Sequence, residues 1–521
     1  MREFSKFIES HLQNGLRPER RRDRNADFLH DAFNVRISRD RIEPYVDVSD
    51  PFEGASFVDF PFPYVHIGEH RSLYLGRNTI HYIDRSGPAW AVQNIPVYAI
   101  DGLPGDGIVP GGPWHVVDLK TSFYLFNGVC TVAIVQGRDH ALVDRVIRIG
   151  TGTHFRGRVV VGGINPHTIW TRGWHEIFTF WQRYDNMLPD IGLDDAKNYV
   201  MWGSIGGGDF PLWLFDPEII HRGPIKQFTR DGTHRIPAQE TYAMDRIRQG
   251  QFGFMPLPFS GDILRVKELG NGVMVYGSEG VAYMPHVAGA ELAPTFGLQM
   301  LNSVGIAGRS AVGGTEHMHV FIDTYGDLWR INAEMQLTRL GYREWLAPML
   351  GTDIIISYDP HFADFYISNS DVCYLYTGDG MSEVRQRPTS IHSLGGELVG
   401  AFDEVPDEDA RIVTNTFDMN IRAQKTITAI GVGISTESPV YVAVDYRYSK
   451  GDEYQRSHFV RLNKEGNAVL RVAGTEFRVV VHVPDRQDME LDYIKVRWQS
   501  SDKRPIRGVD DSTALTDMDM A

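Results

Sequence analysis

At 521 residues the chain exceeds the size at which a single hydrophobic core stops growing, so several domains or one modular architecture are expected. Hydrophobic residues at 42%, aromatics at 11% and 52 glycines allow a real core punctuated by many turns, a profile of β-rich structure and not of helical bundles. A formal net charge of -15, with only ten lysines among 52 basic residues, argues against a chain that wraps nucleic acid through neutralised phosphates; it leaves a local basic patch open and suits an acidic wall past which nucleic acid slides.

In chain order, residues 1–13 carry Phe4, Phe7, Ile8 and Leu12 at the spacing of one helical face, which predicts an amphipathic helix and not a signal peptide. The one dense basic patch follows (RPERRRDR). Its Arg17, Arg20, Arg21, Arg22 and Arg24 are candidates for docking an acidic partner surface or passing nucleic acid, and the interruption by Glu19 and Asp23 equally suits a solvated linker.

A strand-turn-strand unit then recurs at residues 73–83, 123–135, 273–284, 320–331 and 365–376. With Gly76, Asn127, Gly277, Gly326 and Asn369 as turn markers, the gaps are 51, 150, 49 and 43 residues, so the wide one holds about three of the others. Four short antiparallel strands with three turns occupy about forty residues or more, the length of one propeller blade. The expected fold is all-β: a β-propeller of about five to seven blades over residues 41–405, with a sandwich of hairpins as the alternative. The wide gap holds one further strand at 158–163 and then an insertion at about 165–260, rich in tryptophan (Trp170, Trp174, Trp181, Trp202, Trp213) and partly helical, with helices expected at 193–202 and 239–251. These tryptophans suit core or a subunit interface. An acidic connector at 403–409 (DEVPDED) marks a boundary, and six alternating strands at 425–434, 440–448, 458–462, 468–472, 476–483 and 491–498 predict a C-terminal β-sandwich over 410–508. Residues 509–521 are acidic with no packing pattern and read as a disordered tail.

Motifs of catalysis are sparse. No Gly-Lys dipeptide exists, so a P-loop is absent, and the glycine-rich stretch 150–157 (GTGTHFRG) has Phe155 where a dinucleotide fingerprint needs its third glycine. Glu316, His317 and His319 (EHMH) offer metal-ligating types on alternate strand positions but lack a third ligand nearby, and His175-Glu176 lacks the second histidine of a helical zinc site. The stretch DTYGDLW, Asp323 to Trp329, has one residue too many between Asp and Gly for the repeated turn of propeller sialidases, and it occurs once. Cys130 and Cys373 sit in apolar runs and read as buried thiols. No cofactor or metal is expected.

Residues 25–45 (NADFLHDAFNVRISRDRIEPY), 305–331 (GIAGRSAVGGTEHMHVFIDTYGDLWRI), 477–483 and 491–508 (LDYIKVRWQSSDKRPIRG) resemble the tail nozzle proteins of short-tailed bacteriophages, the group that includes the packaged-DNA stabilisation proteins. The resemblance implies a virion-tail protein made in the bacterial host cytoplasm, a hexameric ring below portal and adaptor, with the propeller outward and the sandwich lining or closing the channel. It implies as partners further copies of the chain, adaptor and portal-side proteins, and a tail needle or fibres. DNA would pass the lumen without sequence-specific binding, with no stable membrane insertion and no enzyme activity. The aromatic insertion has no counterpart in the family pattern. The alternatives are a receptor- or glycan-binding tail propeller and a propeller glycoside hydrolase, the latter needing two carboxylates across a pocket.

Overall fold

The computed structural model describes residues 3–8, 14–16, 18, 28–39, 41–49, 65–67, 71–75, 79–84, 91–99, 114–119, 122–135, 141–144, 147–166, 197–203, 226–228, 235–237, 253–287, 295–394, 397–402, 409–421 and 423–500. Among them the only α-helix is the single turn Arg343–Leu346; everything else regular is strand, apart from short 3-10 turns. The chain forms two compact units, residues 51–356 and residues 1–50 with 357–521.

The unit of residues 51–356 is a series of four-stranded antiparallel meanders. The first comprises Val65–Ile67, Arg71–Leu75, Thr79–Asp84 and Ala91–Ala99; the second comprises His115–Asp118, Ser122–Phe126, Thr131–Val135 and Ala141–Asp144. Their last strands pair in parallel, fusing the two into one eight-stranded sheet. The third is Ile147–Phe155, Arg158–Pro166, Tyr199–Trp202 and Gly253–Pro256; the fourth is Ile263–Leu269, Gly272–Gly277, Val281–Pro285 and Gln299–Asn302; the fifth is Val312–Gly314, Met318–Ile322, Leu328–Asn332 and Leu337–Gly341. Serial meanders of this length are the blades of a propeller-type, all-β fold.

The strand-turn-strand units of the sequence are the central hairpins of these meanders. Their turns are closed by side chains chosen for it: Asn127 Oδ1 accepts from the amides of Val129 and Cys130, each at 2.9 Å, and Asp323 Oδ1 from those of Tyr325 and Asp327 at 2.8 and 2.9 Å. Gly326 sits at φ +86, and an added Cβ there would lie 2.7 Å from the Ala347 Cα, so both conformation and space require glycine.

Sheets in this unit pack face to face in chain order. Phe155, Val160, Val200 and Trp202 of the third meander meet Val266, Val273 and Val275 of the fourth, whose other face packs Met274 and Tyr276 on Ile306, Val312, Phe321 and Ile331 around the fifth. Both faces of the fourth sheet are thus apolar, which is why Gly272–Gly277 is buried at every position.

Sequence and structure part in the insertion. The helix expected at 193–202 is, in its described portion, a 3-10 turn followed by the strand Tyr199–Trp202, because Val200 and Trp202 are needed in the core between two sheets and the backbone pairs with 160–161 and 253–256. The insertion therefore divides into two excursions from one meander, and a hairpin of Lys226–Phe228 with Arg235–Pro237 belongs to the second. The helix expected at 239–251 and Trp170, Trp174, Trp181 and Trp213 lie outside the described residues.

In the other unit a sixth meander, Ile355–Asp359, Asp364–Ser368, Cys373–Tyr376 and Met381–Val384, continues into a ten-stranded sheet. Phe33 of Leu29–Phe33 pairs in parallel with Glu383, and Leu29–Phe33 pairs antiparallel with Ala410–Thr414, which leads to Glu476–Val483 and Tyr441–Arg447. A second sheet holds Lys425–Ser435 between Glu490–Ser500 and Asn467–Gly474. The contacts do not divide at the acidic connector 403–409: the early strand Leu29–Phe33 bridges the sixth meander to the C-terminal strands, so residues 1–50 and 357–521 cohere.

The amphipathic helix expected at 1–13 is a correction. Residues Glu3–Ile8 form a strand paired with Glu490–Ser500, in which Phe4 stacks on Trp498 at 5.0 Å between centroids and Phe7 lies 5.7 Å from Tyr493. Cross-strand aromatic pairs and the completed ladder outweigh the weak helical preference of a short segment.

Candidate functional site

The candidate docking arginines Arg17, Arg20, Arg21, Arg22 and Arg24 lie outside the described residues, as does the acidic tail 509–521. The EHMH stretch is split by the fold. His317 is exposed before the strand begins, whereas His319 is fully buried with its Nδ1 2.8 Å from the Tyr276 hydroxyl. Among the described residues no group of three His, Cys, Asp or Glu is placed to hold a metal, and no helix is long and apolar enough to cross a membrane. Cys130 and Cys373 are buried and not in a disulfide, and burial pushes the Cys373 thiol far above its usual range.

The seven buried carboxylates among the described residues are engaged in holding the fold. Asp323 closes its turn and accepts from the Trp329 indole at 2.8 Å, while Asp327 takes Arg339 with both oxygens at 2.9 and 2.8 Å. Asp359 accepts from the amides of His361 and Phe362, and Asp418 from that of Asn420. Asp364 receives Arg36 at 2.6 Å, Asp445 receives Arg456 at 2.7 and 3.1 Å, and Glu476 receives Arg447 at 2.6 Å. A glycosidase pair needs one carboxyl kept protonated and one free to attack or to activate water.

What the fold does assemble is a basic cluster that no short motif announces. Along Ile263–Leu269, Arg265 and Lys267 alternate with inward apolar residues; the strand is docked on its neighbour by Thr151 Oγ1, which accepts from the Val266 amide at 3.0 Å. Arg309 lies over Gly128 and Gly150: it donates to the Asn127 carbonyl at 2.9 Å, and its guanidinium fills the space a Cβ on Gly128 would occupy, while a Cβ on Gly150 would sit 3.7 Å from its Cζ. Within GTGTHFRG, Gly152 leaves room for the Phe126 ring, 2.5 Å from where its Cβ would be, and Gly157 sits at φ +76. The stretch begins in the strand Ile147–Phe155, not in a phosphate-binding loop.

His115, at the start of the second meander, completes the cluster. It is 2% exposed, and neither ring nitrogen has a hydrogen-bond partner. Burial first, and then the charges of Arg265, Arg309 and Lys267, hold its imidazole well below the ordinary histidine range, so it is neutral at pH 7. The charged groups that act on it are all positive. Lys267 is lowered to about 8, again by burial first and by Arg265 second, with Glu316 and Glu268 pulling the other way from beyond ion-pair distance. The signal in sequence was slight: two cations spaced i, i+2 in an otherwise apolar strand.

No protein-family model matches the chain, and no curated protein matches it. Among solved structures the chain is similar to PorZ, a bacterial surface component of the type-IX secretion system of Porphyromonas gingivalis, at 6% identity, 77% coverage of this chain and TM-score 0.32; it spans 46% of PorZ's length. It is similar to apo AztD from Citrobacter koseri at 9% identity, 91% and 97% coverage and TM-score 0.33, and to an exo-beta-1,3-galactanase from Phanerochaete chrysosporium at 7% identity, 75% and 96% coverage and TM-score 0.27. Similarities this low carry nothing about function, and the assignment of fold type rests on strand order and register.

Proposed function

We propose that the chain is a structural subunit of the tail nozzle of a short-tailed bacteriophage, assembling with copies of itself into a six-fold ring below portal and adaptor that retains packaged DNA and conducts it on ejection. The observation that carries the non-catalytic part of this reading is the engagement of every described buried carboxylate in turns and ion pairs, a use of acids that stiffens a wall. The resemblance at residues 25–45, 305–331, 477–483 and 491–508 supports the choice of tail component. The net charge of -15 supports passage of DNA without adhesion.

Two further features suit containment under pressure. The two central strands of each meander are paired on both sides, which stiffens the sheets. The N-terminal residues are tied to the C-terminal part: Arg36 to Asp364, Gln386 to both backbone groups of Val48 at 2.8 and 2.7 Å, and Arg486 to the Tyr45 carbonyl at 2.8 Å and to Asp47.

The test is electron microscopy of the purified chain and of virions, with native mass spectrometry for the copy number. Six-fold rings that incorporate into tails are expected. A monomer that never enters a particle, or specific retention on a glycan array by a protein absent from the nozzle, overturns the reading in favour of another role.

A further inference from the structure

We infer that the outer face of the sheet formed by Glu3–Ile8, Glu490–Ser500, Lys425–Ser435 and Asn467–Gly474 is a platform for single-stranded nucleic acid, with bases stacked on Tyr493 and Phe7 and phosphates held by Lys495, Arg497 and Arg471. No ring or tail assembly is needed for it, since the whole face lies within the unit of residues 1–50 and 357–521.

Strand register assigns the residues to faces. Ile494, Val496 and Trp498 are buried on the inner face, so Tyr493, Lys495 and Arg497 alternate with them on the outer one, and Phe7 joins from across the ladder, opposite Lys495. Val469 and Arg471 occupy the outer face of Asn467–Gly474, where Val469 is 77% exposed. Glycine keeps the ground between them low. A Cβ on Gly433 would lie 2.3 to 2.9 Å from three atoms of the Tyr493 ring, so the ring lies over the bare glycine backbone and turns its other side to solvent. Phe7, 51% exposed, stands 5.7 Å from it at 59° between ring planes, a second aromatic wall.

Charge on this face is one-sided. Lys425–Ser435 and Asn467–Gly474 contain no acid; of the two acids in Glu490–Ser500, Glu490 is paired with Arg41 and Asp492 is the extra residue of a bulge beside Tyr493. Lys495, Arg497 and Arg471 make no ion pair with a described residue, and Lys495 instead lies over the Phe7 ring at 4.7 Å. Three unpaired cations on a chain of net charge -15 mark a ligand of opposite sign, and exposed rings beside them mark one that also carries flat apolar groups. Nucleic acid has both, and only as a single strand does it free the base faces for stacking. A neutral sugar would use the rings and leave the cations unanswered; an acidic protein segment would use the cations and leave the rings without a planar partner.

The experiment is fluorescence anisotropy of a labelled oligothymidylate titrated with the full chain at rising salt, with oligouridylate, a duplex and an abasic strand of the same length as comparators. Wild type is expected to bind both single strands more tightly than the duplex or the abasic strand, with a salt slope of about -2, from three phosphates at about -0.7 each. Tyr493→Ala is expected to weaken binding about ten-fold, the loss of one stacked base, while Tyr493→Phe retains it. Arg471→Ala, at an exposed position, should fold as wild type and lower the slope by about one third. Equal affinity for the abasic strand or the duplex, or undiminished affinity in Tyr493→Ala, would overturn the assignment. So would the absence of binding at low salt; if Tyr493→Ala then changed the oligomeric state in native mass spectrometry, the face would belong to a second copy of the chain.

Discussion

The two compact units treat buried charge in opposite ways. In residues 1–50 and 357–521, the buried acids Asp364, Asp445 and Glu476 each sit against an arginine that comes from another strand, so the electrostatics close within the chain. Among the described residues of 51–356 one buried acid is paired in this way, Asp327 with Arg339, while Glu316 and Glu268 act on Lys267, and Asp262 on Arg309, without a described ion pair. Closed pairs register strands against one another, and their loss exposes a partner to an apolar interior. A partly buried cation without a direct pair is instead disfavoured by desolvation, as at Lys267.

The largest effect that would sharpen this contrast is at the junction of the N-terminal segment with the sixth meander. Asp364→Ala leaves Arg36 half-buried with only Glu43 as counter-charge, and breaking a buried pair from one side costs about 3 kcal/mol or more. A lowered urea midpoint at unchanged m is expected; a cost under about 1 kcal/mol would show that the pair is as dispensable as a surface one. Burial pushes Asp364 itself up to about 6 despite Arg36, so desolvation outweighs pairing there. Next in size, Asp323→Ala strips two turn amides and the Trp329 indole of their acceptor, for about 2 kcal/mol. Trp329 fluorescence should report local loosening before global unfolding.

The cation at Lys267 predicts a pH dependence of opposite character. Lys267 is near 8 in the folded chain and near its ordinary 10.5 when unfolded, so between those values the unfolded state binds more protons. Stability therefore rises as pH climbs from about 8 to about 10.5, by about 1 to 2 kcal/mol once the partial exposure of the side chain is allowed for. Lys267→Met should flatten that rise. A slope unchanged by the substitution would mean that Lys267 is solvated like any surface lysine.

Legibility in the sequence followed locality. The central hairpins at 123–135, 320–331 and 365–376 could be read because apolar alternation and the turn formers Asn127, Gly326 and Asn369 lie within a dozen residues of each other. The strand Glu476–Val483 was readable to the residue for the same reason. The helix assigned to residues 1–13 failed because Phe4, Phe7 and Ile8 satisfy a helical spacing, while the partner that decides the matter, Glu490–Ser500, is almost the whole chain away. Tyr199–Trp202 was misread because its partners are separated from it by two long excursions. The place of Arg309 was invisible for a like reason: the Asn127 carbonyl and Gly128 that it covers lie about 180 residues earlier in the chain.

The smallest effect tests that tertiary decision at the N-terminus. Phe4 is 43% exposed, so its stack on Trp498 contributes about 1 kcal/mol, and Phe4→Ala should cost no more than that. The informative quantity is where protection is lost in hydrogen exchange. As a paired strand, residues 3–8 should lose protection together with their partners between Ile494 and Gln499. A helix docked by one apolar face would instead lose its own i to i-4 bonds and leave that ladder intact. Lys495, whose ammonium lies 4.7 Å from the Phe7 ring, supplies the control: Lys495→Met should leave exchange at Glu3–Ile8 nearly unchanged, because cation–π contacts at an exposed edge add little to a ladder already formed.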